Sequence, residues 1–468
     1  MVINSNIGLV PGLILFVFLA VFGSLILSVT WTHRSDLRSQ MRLFIAAFIA
    51  RFLFSIAIYQ FGLISILKDE DSSGWVLGIP LLERWRGIDF TQLPVVLLGA
   101  YQGHHQGYRY LMGALFFITN EPHRMTAAVL NCFFGALTVV FTYRLARMLA
   151  SSWVATRVGW LCCFAPSLIV WSAQTVKEPI VILLEAIGLY ACVQLKSRGA
   201  SVRHVVMCAL AILLVVPFRF YAAWVIGAAI LLSLLLPHLA LKRMNVGSAI
   251  LVALMVIPLL LWSGILVRHE ATFNTFDAKA FDSYRRGLAG GQGSGYEMHY
   301  DIQTPSGFGM TTLIGGAHLL MAPFPWELLG GSTRKILVAP ELVVWWWVFI
   351  VGVVPGAWFC CRRRFSDTLP LFFFCFMLGL LYSVTFGNVG LIFRQRAQLL
   401  PWLLVFGLIG LEQRALRKQA RRAWELARRS QAVRARNNAL SPVLNGAPSQ
   451  PLAAAPVRPH GARDWSLP

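Results

Sequence analysis

GLVPGLILFVFLAVFGSLILSVT, residues 8–30, runs for 23 positions without a charged side chain. A bilayer's hydrocarbon core is about 30 Å thick and takes roughly 20 residues to cross as a helix. A helix is the form such a run adopts in lipid, because each of its peptide groups is satisfied within the segment itself. Outward from this stretch the pattern repeats at Leu43–Leu67, Met125–Leu149, Ala222–Ala240, Gly247–Val267 and Glu341–Cys361. The composition agrees: 57% of the 468 residues are apolar, 13% are charged, and the mean hydropathy is +0.65. That leaves too little polar surface for a soluble globule. The fold class expected is an all-α polytopic membrane protein.

A net charge of +21 raises the question of nucleic acid, and its distribution answers it. The cations flank predicted span ends at Arg34–Arg42, Arg144–Arg147, Lys196–Arg203, Lys242–Arg243 and Arg362–Arg364. Nine more Lys or Arg lie between Arg414 and Arg436. This is the cytoplasmic bias of positive loops, so no nucleic-acid partner is expected. With those groups in the cytoplasm the spans alternate without contradiction at about eleven helices. The N-terminus falls outside and the C-terminus inside. The first run lacks a basic n-region and reads as a true span rather than a cleavable signal. The eight cysteines lie in or beside apolar segments without CxxC spacing, which argues against disulfides and cysteine zinc sites.

The organisation expected is a membrane domain over residues 1–411 and a basic, partly disordered cytoplasmic tail over 412–468. The tail's cations suit an anionic leaflet. Two long outer segments, 68–124 and 268–340, interrupt the short loops and carry amphipathic stretches suited to the membrane surface. Phe308–Phe324 is read as interfacial rather than crossing, because one more crossing would place Arg362–Arg364 outside. Pro323–Glu327, PFPWE, would end it, and Glu327 offers a second acid there.

Polar groups on the outer side are the candidates for chemistry. Asp69, Glu70 and Asp71 end the second span, where three acids are costly unless they face water, a cation or a reacting group. His104, His105, Tyr108 and Arg109 follow in AYQGHHQGYRY, with groups that shuttle protons or hold phosphate and sugar hydroxyls. Lys177 and Glu178 stand in the turn SAQTVKEP, and Arg219 in VVPFRFY. Arg394 and Arg396, in GNVGLIFRQRAQLLP, defy the positive-inside bias, and paired guanidinium groups grip phosphate bidentately. Interface arginines touching lipid phosphates are the plainer alternative. Asp69, Asp71 and the histidines offer ligands to a divalent metal ion, with no spacing that identifies one.

The order of these features resembles the GT-C superfamily of membrane glycosyltransferases, in particular the protein-mannosyltransferase and aminoarabinose-transferase-like group. The resemblance rests on the acids at the head of the first outer loop and on GYRYLMGALFFITNEPHRMTAAVLNCFFGALTVVFTYRLARML, which looks like the family's passage into the next span. FAPSLIVWSAQTVKEPIVILLEAIGLY looks like its paired helices with a polar turn. The likeness covers about 43–240; an extra span precedes the usual first helix, and the acids read DED, so the family's catalytic acid matches either Asp69 or Asp71.

The resemblance implies a polyprenyl-phosphate-linked sugar donor, membrane lipids as surroundings, and a glycan, lipid or protein acceptor on the outer face of a plasma membrane, expected to be a bacterial inner membrane. A carboxylate would take the acceptor proton and cations would hold the leaving lipid phosphate. Two rivals remain: an O-antigen or exopolysaccharide polymerase or ligase, which suits the arginines without needing the acids, and a lipid-linked glycan transporter. The transporter predicts internal repeats and deep ionisable groups, of which Glu185 is the main example.

Overall fold

The structure, a computed structural model, describes residues 7–30, 34–63, 74–88, 106–199, 201–236, 246–262, 282–283, 285–287, 300–328 and 333–445. Among the described residues the regular structure is helical throughout. Residues Met1–Glu412 form one compact unit and Gln413–Pro468 a second.

Two long antiparallel helices open the first unit: α1 (Leu9–Thr30) and α2 (Arg34–Gln60). A 3-10 turn at Gly74–Gly78 leads to α3 (Ile79–Trp85) and α4 (Gln106–Thr119). Next come α5 (Arg124–Leu149), the bent pair α6 (Ser152–Phe164) and α7 (Pro166–Ser172), and α8 (Glu178–Arg198). Helices α9 (Val202–Val215), α10 (Phe220–Leu235) and α11 (Val246–Trp262) follow. After α12 (Pro305–Met321) and the short α13 (Pro325–Leu328), a composite rod joins α14 (Thr333–Val348), a π-helical stretch at Phe349–Val353 and α15 (Val354–Arg363). Helices α16 (Phe365–Thr385) and α17 (Val389–Asn445) complete the chain's described part.

Packing separates an apolar inside from an apolar outside. Helix α5 is central, with α1, α2, α6 and α8 against it, and Phe44, Phe48 and Phe133 interlock edge to face between α2 and α5. On α1 the opposite face, Val10, Ile14, Phe18, Val21, Leu25 and Val29, is exposed. A large apolar surface of this kind on a well-packed helix is what lipid covers. Elsewhere the backbones themselves touch: a Cβ on Gly356 would sit 1.9 Å from Phe406 O, and one on Gly410 would sit 2.1 Å from Gly352 O. Glycine pairs of this kind let spans approach closely where no hydrophobic force drives them together.

Among the described residues seven helices are long and apolar enough to cross a membrane, and eight if the α6–α7 pair is one bent span. Helices α9 and α10 are apolar but shorter. The expected eleven is therefore not reached by length and composition alone. Three expected boundaries move. The basic stretch at Arg34–Arg42, expected as a loop, is the first turns of α2, since Arg, Leu, Gln and Met are strong helix formers. The second outer segment, expected to run to Pro340, gives way to helix by Thr333, with Pro340 inside α14. The basic run after Leu411, expected as a partly disordered tail, stays helical to Asn445. The segment expected to be interfacial is α12, packed along α16.

One end of the first unit collects Thr30, Asp36, Gln40, Leu149, Arg364 and Glu412. Arg144 donates to Gln40 Oε1 at 2.7 Å and Thr30 Oγ1 at 2.9 Å, Arg364 to Leu149 O at 2.6 Å, and Ser151 to Glu412. The other end holds the N-terminus of α8 and is the site described next.

Candidate functional site

The site is built on two interruptions of helix. The first is the 54° bend between α6 and α7. Pro166 has no N–H, so Cys162 O loses its helical donor. Ser167 N turns instead to Glu341 Oε2 at 2.9 Å, which frees Cys163 O. Arg51, 1% exposed, fills both vacancies: its Nη2 donates to Cys162 O and its Nη1 to Cys163 O, each at 3.1 Å. Ser167 Oγ adds a bond to Glu341 Oε1 at 2.6 Å. A buried cation thus caps the end of α6 and a carboxylate the start of α7, the charges that helix termini favour.

The second interruption is the non-helical turn between Ser172 and Glu178. Asn131 of α5 holds it, with Nδ2 2.6 Å from Gln174 O and 2.7 Å from Val176 O, and 3.1 Å from the Tyr108 hydroxyl, which accepts. Tyr108 is buried on α4, whose first turn is tied to the α9–α10 corner by Gly107 N donating to Pro217 O at 2.9 Å. The start of α4 thereby reaches the residues that present Glu178.

Glu178, fully buried, begins α8. Its Oε1 accepts from Arg394 at 2.8 Å (Nε) and 2.7 Å (Nη2), and from Arg219 Nη2. Arg219 stands just before α10 and is 2% exposed; Arg394 is 7% exposed. Nη1 of Arg219 lies 2.6 Å from Gln395 Oε1, 2.8 Å from Gln398 Oε1 and 3.2 Å from the Tyr382 hydroxyl. Tyr382 donates to Gln398 Oε1, and Gln398 Nε2 donates to Glu185 Oε1 at 2.9 Å. Glu178 Oε2 and Glu185 Oε2 have no hydrogen-bond partner. Two guanidinium groups thus meet one carboxylate oxygen at a buried site, and the trio carries one excess positive charge.

The structure therefore brings together Glu178, Arg219 and Arg394, and joins Tyr108 to them through Asn131. It does not bring in Arg396, which faces away, donating to Ala322 O at 2.8 Å beside Trp345 and Phe393. Arg109 is buried on α4, and Lys177 is half-buried at the N-cap of α8. Glu327 accepts from Phe324 N at 2.8 Å and so caps its own short helix. Asp69, Glu70, Asp71, His104 and His105 lie outside the described residues. Among the described residues no group of three His, Cys, Asp or Glu is placed to hold a metal ion.

Sequence reasoning missed Arg51, Asn131, Glu341, Tyr382, Gln395 and Gln398. Arg51 left a signal, a lone cation in the apolar run AFIARFLF. So did Gln395 and Gln398, one helical turn apart beside Arg394. Asn131 and Tyr382 left none, since single polar residues in spans are common.

The same unit holds an apolar cavity of about 800 Å³ between α12, the α14–α15 rod, α16 and α17. Leu319, Phe349, Trp358, Phe376, Leu399 and Phe406 are among its walls. So are Ser383, next in sequence to Tyr382, and Leu399, next in sequence to Gln398.

No protein-family model matches the chain, and no curated protein matches it in sequence. Solved structures do. The crystal structure of the Archaeoglobus fulgidus oligosaccharyltransferase in the apo form aligns at a TM-score of 0.45 and 13% identity over 82% of this chain. The archaeal oligosaccharyltransferase AglB from Archaeoglobus fulgidus, in complex with an inhibitory peptide and a dolichol-phosphate, aligns at 0.47 and 15% identity over 82% of this chain. The chain spans about half the length of these structures, 52% of each.

Proposed function

We propose that the chain is a GT-C-type membrane glycosyltransferase that moves a sugar from a polyprenyl-phosphate donor to a glycan, lipid or protein acceptor on the outer side of the membrane. The observation that carries this reading is the pairing of Arg219 and Arg394 on one buried carboxylate, with one excess positive charge, in a unit that also holds a large apolar cavity walled in part by Ser383 and Leu399, the sequence neighbours of Tyr382 and Gln398. A ligand with an anionic head and a hydrocarbon tail has both requirements met there. The sequence resemblance over 43–240 supplies the class of chemistry.

In this reading Arg219 and Arg394 hold the donor phosphate and stabilise the charge it gains as the sugar leaves. One of Asp69, Glu70 and Asp71 takes the acceptor's proton. Tyr108, Arg109, His104, His105 and Lys177 are assigned to binding the donor's phosphate and sugar hydroxyls, and Asp69, Asp71 and the histidines are the ligands a divalent ion would take. Glu178 is not a base here. Its Oε1 is held by two arginines, and its role is to keep their guanidinium planes in place.

The test is incubation of the purified protein with labelled polyprenyl-phosphate sugars and extracted membrane acceptors. Transfer is expected, and it should be lost in Asp69→Asn or Asp71→Asn. No transfer from any donor would overturn the reading, and transfer untouched by both acid substitutions would favour the polymerase or ligase class.

A further inference from the structure

The apolar cavity between α12, the α14–α15 rod, α16 and α17 has a defined length and one charged end. Its wall runs on α16 from Phe372 to Ser383 and on the rod from Phe349 to Cys361. At about 1.5 Å per residue each wall is about 16–18 Å long, close to one leaflet's share of a hydrocarbon core about 30 Å thick. Among the described lining residues none is charged. The hydroxyls of Thr312 and Ser383 donate within their own helices, to Phe308 O at 2.8 Å and Gly379 O at 2.6 Å. The wall therefore suits hydrocarbon. Trp358 and Phe376 are more than half exposed, so the cavity opens at the surface that lipid covers.

The charged end lies where α15 meets α16. Arg362 sits over the ring of Trp358, 4.2 Å from its centroid, and Phe372 packs on Phe365, just past Arg364. Arg364 is spent on Leu149 O and Asp367. Arg362 and Arg363 are exposed, and neither has an ion pair among the described residues. Two unpaired guanidinium groups at the end of a leaflet-long apolar wall match a lipid phosphate above its acyl chain. A head that carries its own ammonium would be repelled by the same pair. We propose that this cavity seats one acyl chain of an anionic glycerophospholipid, with Arg362 and Arg363 holding the phosphate. A donor's polyprenyl tail would need the same volume, so the phospholipid competes with it there. The binding itself stands without the glycosyltransferase reading.

The test uses the full chain in detergent with no donor present. Native mass spectrometry in equimolar dioleoylphosphatidylglycerol and dioleoylphosphatidylcholine should show one lipid retained, with the anionic one preferred about tenfold. Changing both Arg362→Gln and Arg363→Gln should erase that preference. Gly379→Leu should prevent retention of either lipid. A Cβ on Gly379 meets no atom within 4 Å, so the added side chain fills the cavity without breaking the fold. Equal retention of the two lipids by the wild type, or a preference that survives both arginine substitutions, would overturn the assignment of the phosphate. Retention untouched by Gly379→Leu would overturn the place of the acyl chain.

Discussion

The bend between α6 and α7 and the turn between α7 and α8 are separated by one short helix, yet they use charge in opposite ways. At the bend, charges serve the main chain: Arg51 takes two freed carbonyls and Glu341 takes a freed amide. At the turn the main chain is served by a neutral residue, Asn131, while the charges serve one another, Arg219 and Arg394 on Glu178. A side chain bonded to peptide groups is fixed for as long as the helices are. One bonded to another side chain can exchange that partner for a ligand of the same sign. The bend is therefore architecture, and the turn is where an anion from outside would compete with Glu178.

The largest effect expected follows from removing the shared carboxylate. Glu178→Ala leaves two buried guanidinium groups facing each other without an anion, and breaking a buried pair in this way costs about 3–5 kcal/mol. SDS-driven unfolding in mixed micelles measures it. If the donor phosphate does occupy this place, added polyprenyl phosphate should recover part of the loss. Recovery absent in the variant and stabilisation absent in the wild type would make the turn as fixed as the bend.

Next in size is Arg394→Ala, expected to lower transfer from a polyprenyl-phosphate donor by about 10²–10³ in kcat, the range for losing one donor to developing charge. Arg396→Ala should fall well short of that, because Arg396 is spent on Ala322 O. Equal losses in the two variants would contradict the geometry of the site.

The sequence made the charges of the turn legible and those of the bend almost invisible. Arg219, Glu178 and Arg394 stood out because they lie at predicted span ends on the side where cations are rare. Arg396 satisfied the same rule and is bonded elsewhere, since two residues along a helix point about 200° apart. Arg51 and Glu341 sit where a proline removes one N–H in a third element, and nothing local to either residue reports that. The runs at residues 8–30, 43–67, 125–149 and 341–361 fall on helices long enough to cross, while the run at 222–240 falls on a shorter one. The ends of the helices were not legible, because α2 and α17 continue as helix into charged sequence that hydropathy assigns to loops.

At the bend, Arg51→Leu should cost about 1–3 kcal/mol for each carbonyl it leaves without a donor, and it should not respond to polyprenyl phosphate. That indifference separates it from Glu178→Ala more clearly than the size of the loss does.

The smallest effect tests whether Glu341 truly serves the backbone. Its carboxylate receives two bonds from one residue, Ser167 N and Ser167 Oγ. If the amide is the bond that matters, Ser167→Ala removes only the hydroxyl and should cost about 1 kcal/mol. Glu341→Ala strands the amide at the start of α7 and should cost more, in line with an N-cap loss of up to about 2 kcal/mol. In the reverse order, with the serine substitution dearer, the hydroxyl rather than the peptide group would be Glu341's partner. The bend would then be held by side chains, as the turn is, and the distinction between the two would fail.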